Sequence, residues 1–451
     1  MLSLRLDNNA RFSNKQILAF LIPIFFEQLM LAGLGIADTF MVSFLGESSV
    51  AGVALVNRID NFVKQFLLAL AQGGSVIMSQ YIGARDDEKA SLSLKNNIRI
   101  VILVALAIMS LMVIFRPLVL KFLFGGAEAD VLEISNQCFS ITAFSYPFVA
   151  LYYACSASFR AMGESKIPSA ASIVMMIVSL ILKYLFILKL DLGVRGTALS
   201  TLIAMALVGG ILLVMLHSPH NKISLGGLLK PDFKRENVFR ILKVSFPNGI
   251  EQAMFQLGAL AIAGLISGLG TAAIAADQIA RSLTPLVHAI GSAFVAVMMM
   301  LIGQCMGANS PDEAKKYTKH ILKIDYIFTF ICAVLFIAFM KPLISLFDVS
   351  AEAQTFTYAI LMIYTIGSVL FYPTSFAVAG ALRGTGDTKF VMMVASASMF
   401  IFRIGAAYIF TYAFDLGVIG AWVAMVSDWV IRTIIFAIRF KKGKWQNNKV
   451  I

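Results

Sequence analysis

Two carboxylates stand where the chain is otherwise apolar. Glu27 and Asp38 fall in the run PIFFEQLMLAGLGIADTFMVS, eleven positions apart. At about 100° per helical residue they differ in direction by only about 20°, so one helix would aim both the same way, about 16 Å apart in depth. Asp38 would lie roughly 12 Å short of the outer end of that helix at Gly46. Ionisable groups at membrane depth are costly and mark ion or substrate pathways, so Asp38 is the first candidate for coupling to a cation. Lys183, Arg403 and His288 stand in other apolar runs. His288 has the chemistry to relay protons near neutral pH, although a histidine on an apolar helix also serves as a packing residue. Asp60 with Lys64, Asp277 with Arg281, and Asp428 with Arg432 are each four apart, the spacing at which opposite charges neutralise one another on one helix face. Arg403 has no such partner in its own run and is expected to point into a helix bundle or a wet cavity. Met298 and Met299, with Phe294 nearby, would suit a plastic surface for varied apolar cations, or simply face lipid.

The elements that must position these residues are membrane helices. Of 451 residues 59% are hydrophobic and 14% charged, where a soluble chain would carry about 25% charged residues. Apolar runs of bilayer length recur from end to end, and twelve spans are expected, the first at 16–44 and the last at 417–439. The net charge of +12 is explained by its placement. Alternate hydrophilic segments hold 26 Lys and Arg, the opposite set five. That asymmetry predicts a multi-pass cell-membrane protein with both termini in the cytoplasm, and leaves nothing for nucleic acid to explain. The polar N-terminus has no small-residue cleavage site after the first apolar run, which is therefore read as a retained span. Cys138, Cys155, Cys305 and Cys332 lie in or beside apolar spans without CxxC or a histidine cluster, so no metal or disulfide is expected.

The chain contains its opening stretch twice. Pro23, Glu27 and Gln28 reappear as Pro247, Glu251 and Gln252, and Ser43, Leu45 and Gly46 as Ser267, Leu269 and Gly270. Gln80, Gly83 and Ala84 reappear as Gln304, Gly307 and Ala308, all at an offset of 224. FRAMGESK at 159–166 answers LRGTGDTK at 382–389, and DLGVRG at 191–196 answers DLGVIG at 415–420. Two halves of six spans enter the membrane the same way round, which predicts a pseudo-two-fold axis along the membrane normal with a cleft between the bundles. The domains expected are an N-terminal bundle at 1–216, a cytoplasmic linker at 217–238 and a C-terminal bundle at 239–451. Asp38 breaks the repeat, since Ile262 stands opposite it. Glu27 keeps its match in Glu251, which suggests a shared packing or capping role beside any part in lining the cavity.

The doubled layout, RGTGDTK after the tenth span, the Gln-x-x-Gly-Ala endings and AGLISGLGTAAIAADQIA at 263–280 together resemble the multidrug and toxic compound extrusion (MATE) transporters, over essentially the whole chain. The resemblance implies an all-α integral membrane fold, a V-shaped pair of six-helix bundles. It also implies export of organic, often cationic, compounds in exchange for protons or sodium ions. The family's cation-binding pattern has Asn in the fifth span, Asp four residues on, and Thr in the sixth. The matching positions here are Ser179, Lys183 and Thr201, so the acid has become an amine. Lys183 falls at nearly the depth of Asp38 and is expected to pair with it. One carboxylate beside a fixed ammonium makes a poor site for a hard cation, which favours protons over sodium. The alternatives are a static pair holding two spans together, or competition between substrate and Lys183 for Asp38.

Enzymatic signals are absent: there is no HExxH, no phosphate loop, and no stretch long enough to be a nucleotide domain. The reading is a secondary-active multidrug exporter, monomeric and needing no cofactor beyond an ion gradient. Its partners are organic cations, protons or sodium ions, and the lipid bilayer. A flippase for lipid-linked oligosaccharides or peptidoglycan precursors is the rival, kept open by Arg403 and Lys183 and opposed by Asp38, Glu27 and Glu251. A channel or receptor without coupled transport fits less well, because the repeat places charges between the halves.

Overall fold

The computed structural model describes residues 11–451 except 125–127, 219–222, 224, 227–234, 348 and 449. Most of the linker expected at 217–238 therefore lies outside the described residues. Among those described, twelve helices are long and apolar enough to cross a membrane, the number expected. They are α1 (Asn14–Val42), α2 (Ser48–Gly83), α3 (Asp87–Ile114), α4 (Ala129–Ala161), α5 (Lys166–Lys189) and α6 (Gly193–Leu216). The second set is α7 (Glu236–Ser267), α8 (Thr271–Gly307), α9 (Pro311–Ser345), α10 (Ala351–Gly384), α11 (Thr388–Ala413) and α12 (Gly417–Lys441). Helices satisfy their own backbone groups, which is what apolar surroundings demand. Large side chains such as Phe122, Val214, Phe330 and Ile401 remain exposed. Lipid is the cover their chemistry calls for.

The chain forms two compact units, one of Met30–Gly249 and one joining the described residues through Leu29 with Ile250–Ile451. Accordingly Ile17, Leu21 and Ile24 of α1 share a core with Phe294, Met298 and Tyr317 of the second unit. In the first unit, α2 carries Gly74 where an added Cβ would stand 2.0 Å from the Asn97 carboxamide of α3. That closeness lets Asn97 Nδ2 donate to the Ala71 carbonyl at 3.1 Å. Small residues and interhelical hydrogen bonds of about 1 kcal/mol supply association that burial cannot, since lipid is as apolar as the helices.

The duplication is visible in the backbone. Gly46 and Gly270 enter α2 and α8 at φ 92° and 95°, a conformation that residues with a Cβ rarely adopt. The four described non-glycine residues with positive φ form two pairs at the repeat offset: Arg85 with Asn309, and Asp191 with Asp415. Yet Gly163 and Gly386, with φ 85° and 86°, stand 223 apart, so α11 has gained one residue relative to α5. Both helices end in a π-helical turn, Tyr184–Lys189 and Ile409–Ala413, but α11 has a further one at Met399–Ile404. A π turn is how a helix absorbs an inserted residue. Arg403 lies in it.

Helix starts follow local chemistry. The Asp86 carboxylate caps α3, accepting from the Lys89 amide at 3.0 Å and from the Lys89 ammonium at 2.8 Å. Those bonds hold the Asp86 carboxyl below the ordinary carboxylate range. A depressed folded value contributes stability that is full above about pH 4, the unfolded carboxylate value, and is lost as pH falls through the folded one. Asp86→Ala should cost about 1 kcal/mol at pH 7. Thermal melts of the purified protein should show that difference shrinking at acid pH.

Candidate functional site

Five helices of the first unit converge on a partly open space. The space holds about 130 Å³ and is lined by Asp38 of α1, Asp60 and Lys64 of α2, Thr142 of α4, Ser179 of α5, and Thr197 and Thr201 of α6, among others. The Lys183 ammonium donates a hydrogen bond to Asp38 Oδ1. Lys183 is buried, its side chain 1% exposed, whereas the Asp38 side chain is 33% exposed. Ser179, one turn before Lys183, is buried on the same face. The Thr201 hydroxyl, which lines the space, donates back to the Thr197 carbonyl one turn earlier at 3.2 Å. The π turn of α5 begins immediately after Lys183.

A second pair completes the site. Lys64 and Asp60 meet at 2.5 Å, and Asp60 Oδ1 is buried without a hydrogen bond among the described residues. Lys64 is within electrostatic reach of Asp38, and Lys183 of Lys64. Two carboxylates and the Lys64 ammonium therefore line one space, and the Lys183 ammonium, bonded to Asp38, makes the set neutral. Sequence reasoning treated Asp60 and Lys64 as a structural pair. Their side of α2 was unreadable without the fold, and the only available signal was acid and amine at one depth in adjacent spans.

Volume decides what this space can hold. A water needs about 10–15 Å³ of such volume, while drug-sized ligands occupy pockets of about 300–1,000 Å³. The site admits a few waters or a small ion and excludes an organic drug in this conformation. Among the described residues there is no group of three or more His, Cys, Asp or Glu able to hold a metal.

The other candidates fall in the second unit. Glu27 is buried. Glu251 accepts from Arg383 at 2.5 Å, an ion pair within that unit. Met298 is wholly buried in the core with Phe294, and Met299 is buried beside the close approach of Gly384. The His288 ring stacks on Tyr364 at 5.1 Å and meets the edge of Tyr372 at 4.4 Å, and its Nε2 is buried without a hydrogen bond among the described residues. The expected pairs form, Asp277 with Arg281 at 2.7 Å and Asp428 with Arg432 at 3.0 Å. Trp422 Nε1 also donates to Asp277, and the Ser398 hydroxyl to Asp428. Arg403 points inward as expected, 7% exposed, its guanidinium 5.2 Å from the Phe255 ring centroid and its Nε without a hydrogen bond among the described residues.

A doubled set of six spans with membrane-depth ion pairs defines a membrane transporter. The MatE family profile matches residues 23–185 and again 247–409, at the same 224-residue offset as the repeat, and the chain belongs to that family. It is 24% identical to the probable multidrug resistance protein NorM of Thermotoga maritima, over 97% of this chain and 94% of that protein. It is 29% identical to the uncharacterized transporter YisQ of Bacillus subtilis, over 94% of this chain and 93% of that one. Its fold matches a variant of the Vibrio cholerae MATE transporter VcmN with a TM-score of 0.87, at 19% identity over 95% of this chain and 96% of that one.

The pair Asp38–Lys183 is unequally buried, which predicts unequal costs. Asp38→Asn strands a buried ammonium and should destabilise by about 3–5 kcal/mol. Lys183→Met frees a carboxylate that water reaches and should cost about 1 kcal/mol or less. Melting temperatures in detergent should rank Asp38→Asn well below Lys183→Met, with the double variant above Asp38→Asn.

Proposed function

We propose that this chain exports organic, often cationic, compounds by proton antiport, alternating access between its two bundles. The observation that carries this reading is the Lys183 ammonium bonded to Asp38, a carboxylate that lines a space too small for a drug. A hard cation such as sodium needs several oxygens and no competing positive charge, and the amine already occupies the carboxylate. A proton needs no such room. Binding to Asp38 removes its charge, breaks the attraction to Lys183, and leaves an ammonium that must find other oxygens or water. At about 4 Å and an effective dielectric near 20 that attraction is about 4 kcal/mol, enough to bias two packings of a bundle. Asp60 with Lys64 is placed to accept the displaced balance of charge. Ser179 and Thr201 supply hydroxyl oxygens to the same space.

The volume argues against the drug itself competing for Asp38, so coupling and drug binding are read as separate places. Glu27, Glu251, Arg403, His288, Met298 and Met299 remain candidates for the path of the drug. We place the protein in the cell membrane as a monomer, both termini in the cytoplasm, on the distribution of Lys and Arg. The flippase reading is favoured by one observation, the Arg403 guanidinium without a bonded carboxylate among the described residues, which suits a phosphate-bearing substrate better than a cationic one.

In everted vesicles, an imposed pH gradient should drive ethidium transport by the wild-type protein and not by Asp38→Asn. Transport driven by a sodium gradient alone, unchanged when the pH gradient is collapsed, would remove the proton from this mechanism. An Asp38→Asn variant moving ethidium at the wild-type rate would remove Asp38.

A further inference from the structure

A third acid, outside both sites above, lies in the second unit. Asp325 of α9 is 0% exposed. One of its oxygens accepts from the Thr329 hydroxyl at 3.1 Å, one turn further along the same helix. The other, Oδ2, is buried and has no partner among the described residues. The charged and titratable groups around it are otherwise engaged. Tyr326, next in α9, turns away to Thr374 of α10 at 2.7 Å. Tyr372 of α10 is within electrostatic reach, and its hydroxyl is bonded to Ser292 of α8. On α8, Asp277 and Arg281 hold each other, and His288 lies among aromatic rings. On α10, Arg383 is held by Glu251. None of these, nor Glu27 of α1, is bonded to Asp325.

Magnitudes fix the charge state. An ionised carboxylate away from water and without a counter-charge costs several kcal/mol, and one hydroxyl bond offsets about 1–3 kcal/mol of it. Even the neutral acid leaves Oδ2 without a partner among the described residues, so this packing is not the best that the group can have. Packing does not require an acid at all. The equivalent position in the first copy is Val101, itself buried at 0% exposure. The second copy therefore keeps, at a cost, an acid where a valine fits.

We propose that Asp325 is a proton-binding site of the second bundle. It holds its proton in the dry packing described here and gives it up to water when the transport cycle wets the space between α9 and α10. The proton enters from water on one side and returns to water on the other, with no other bond made or broken. The π turn Pro373–Ala377, which follows Tyr372 in α10 and includes Thr374, is the local element able to shift and admit that water. The transport role rests on the proton-antiport reading, whereas the protonated state does not.

Infrared spectroscopy of the protein in lipid vesicles at pH 7 tests the first part. Wild type should show a carboxylic-acid carbonyl band that Asp325→Asn lacks and Asp38→Asn keeps. Dicyclohexylcarbodiimide, which modifies protonated carboxyls in apolar surroundings, should label Asp325 as mapped by mass spectrometry. Asp325→Val copies the first half of the chain, so it should fold with a melting temperature at or above that of wild type. Its proton-driven ethidium transport should fall to that of vesicles without the protein. An unchanged infrared spectrum in Asp325→Asn overturns the protonated state, and wild-type transport by Asp325→Val overturns the role. Neither result depends on Asp38, whose own failure would show as proton-driven transport by Asp38→Asn.

Discussion

Charge held away from water governs this molecule. An ion pair worth about 1 kcal/mol in water is worth about 4 kcal/mol at the effective dielectric of a protein interior, and an unpaired ion there costs several. The chain obeys that rule almost everywhere: Asp60 with Lys64, Asp38 with Lys183, Glu251 with Arg383, Asp277 with Arg281, Asp428 with Arg432. Each pair locks two side chains whose separation is expensive, so the pairs act as switches or as struts according to what can neutralise one member. A proton is the cheapest neutralising agent because it needs neither volume nor several ligands. Arg403 and Asp325, which have no bonded counter-ion among the described residues, are the places where the rule is broken and where function is to be sought.

Duplication gave the protein a frame, and charge was then distributed unequally over it. Left-handed corners recur at the repeat offset, and turn glycines and helix-end π turns at it or within one residue of it, because they are demanded by backbone geometry, which is the same in both copies. Asp38, Lys183, Asp325 and Arg403 do not recur. Ile262 and Val101 stand opposite two of them, so the frame accepts apolar residues at those depths. One inserted residue, taken up as a π turn, carries Arg403 into the interior of α11. Such an insertion rotates a side chain without breaking the helix, a small covalent change with a large electrostatic result.

Size separates the two tasks of a coupled exporter. A space of about 130 Å³ lined by two acids and one amine suits protons, water and short rearrangements of side chains. It does not suit bulky cations. On the proposed reading the drug and the proton need never touch the same carboxylate, and their coupling passes through which packing of the bundle is stable.

By itself, the sequence determined the class of fold, because twelve apolar runs have no other stable solution in a bilayer than helices. It determined the repeat, the family, and the odd acid at Asp38, because a residue that departs from its own duplicate is visible without coordinates. The i, i+4 pairs were legible for the same reason that they form: both members lie on one helix face. What the tertiary structure decided is which faces meet. The depth along a helix can be counted, but the direction in which α2 turns Asp60 cannot, so the second pair in the cavity was unreadable. Asp325 was hidden because an acid about four turns inside a helix reads like any other until its neighbours are known, and burial without a partner is a property of the neighbours alone.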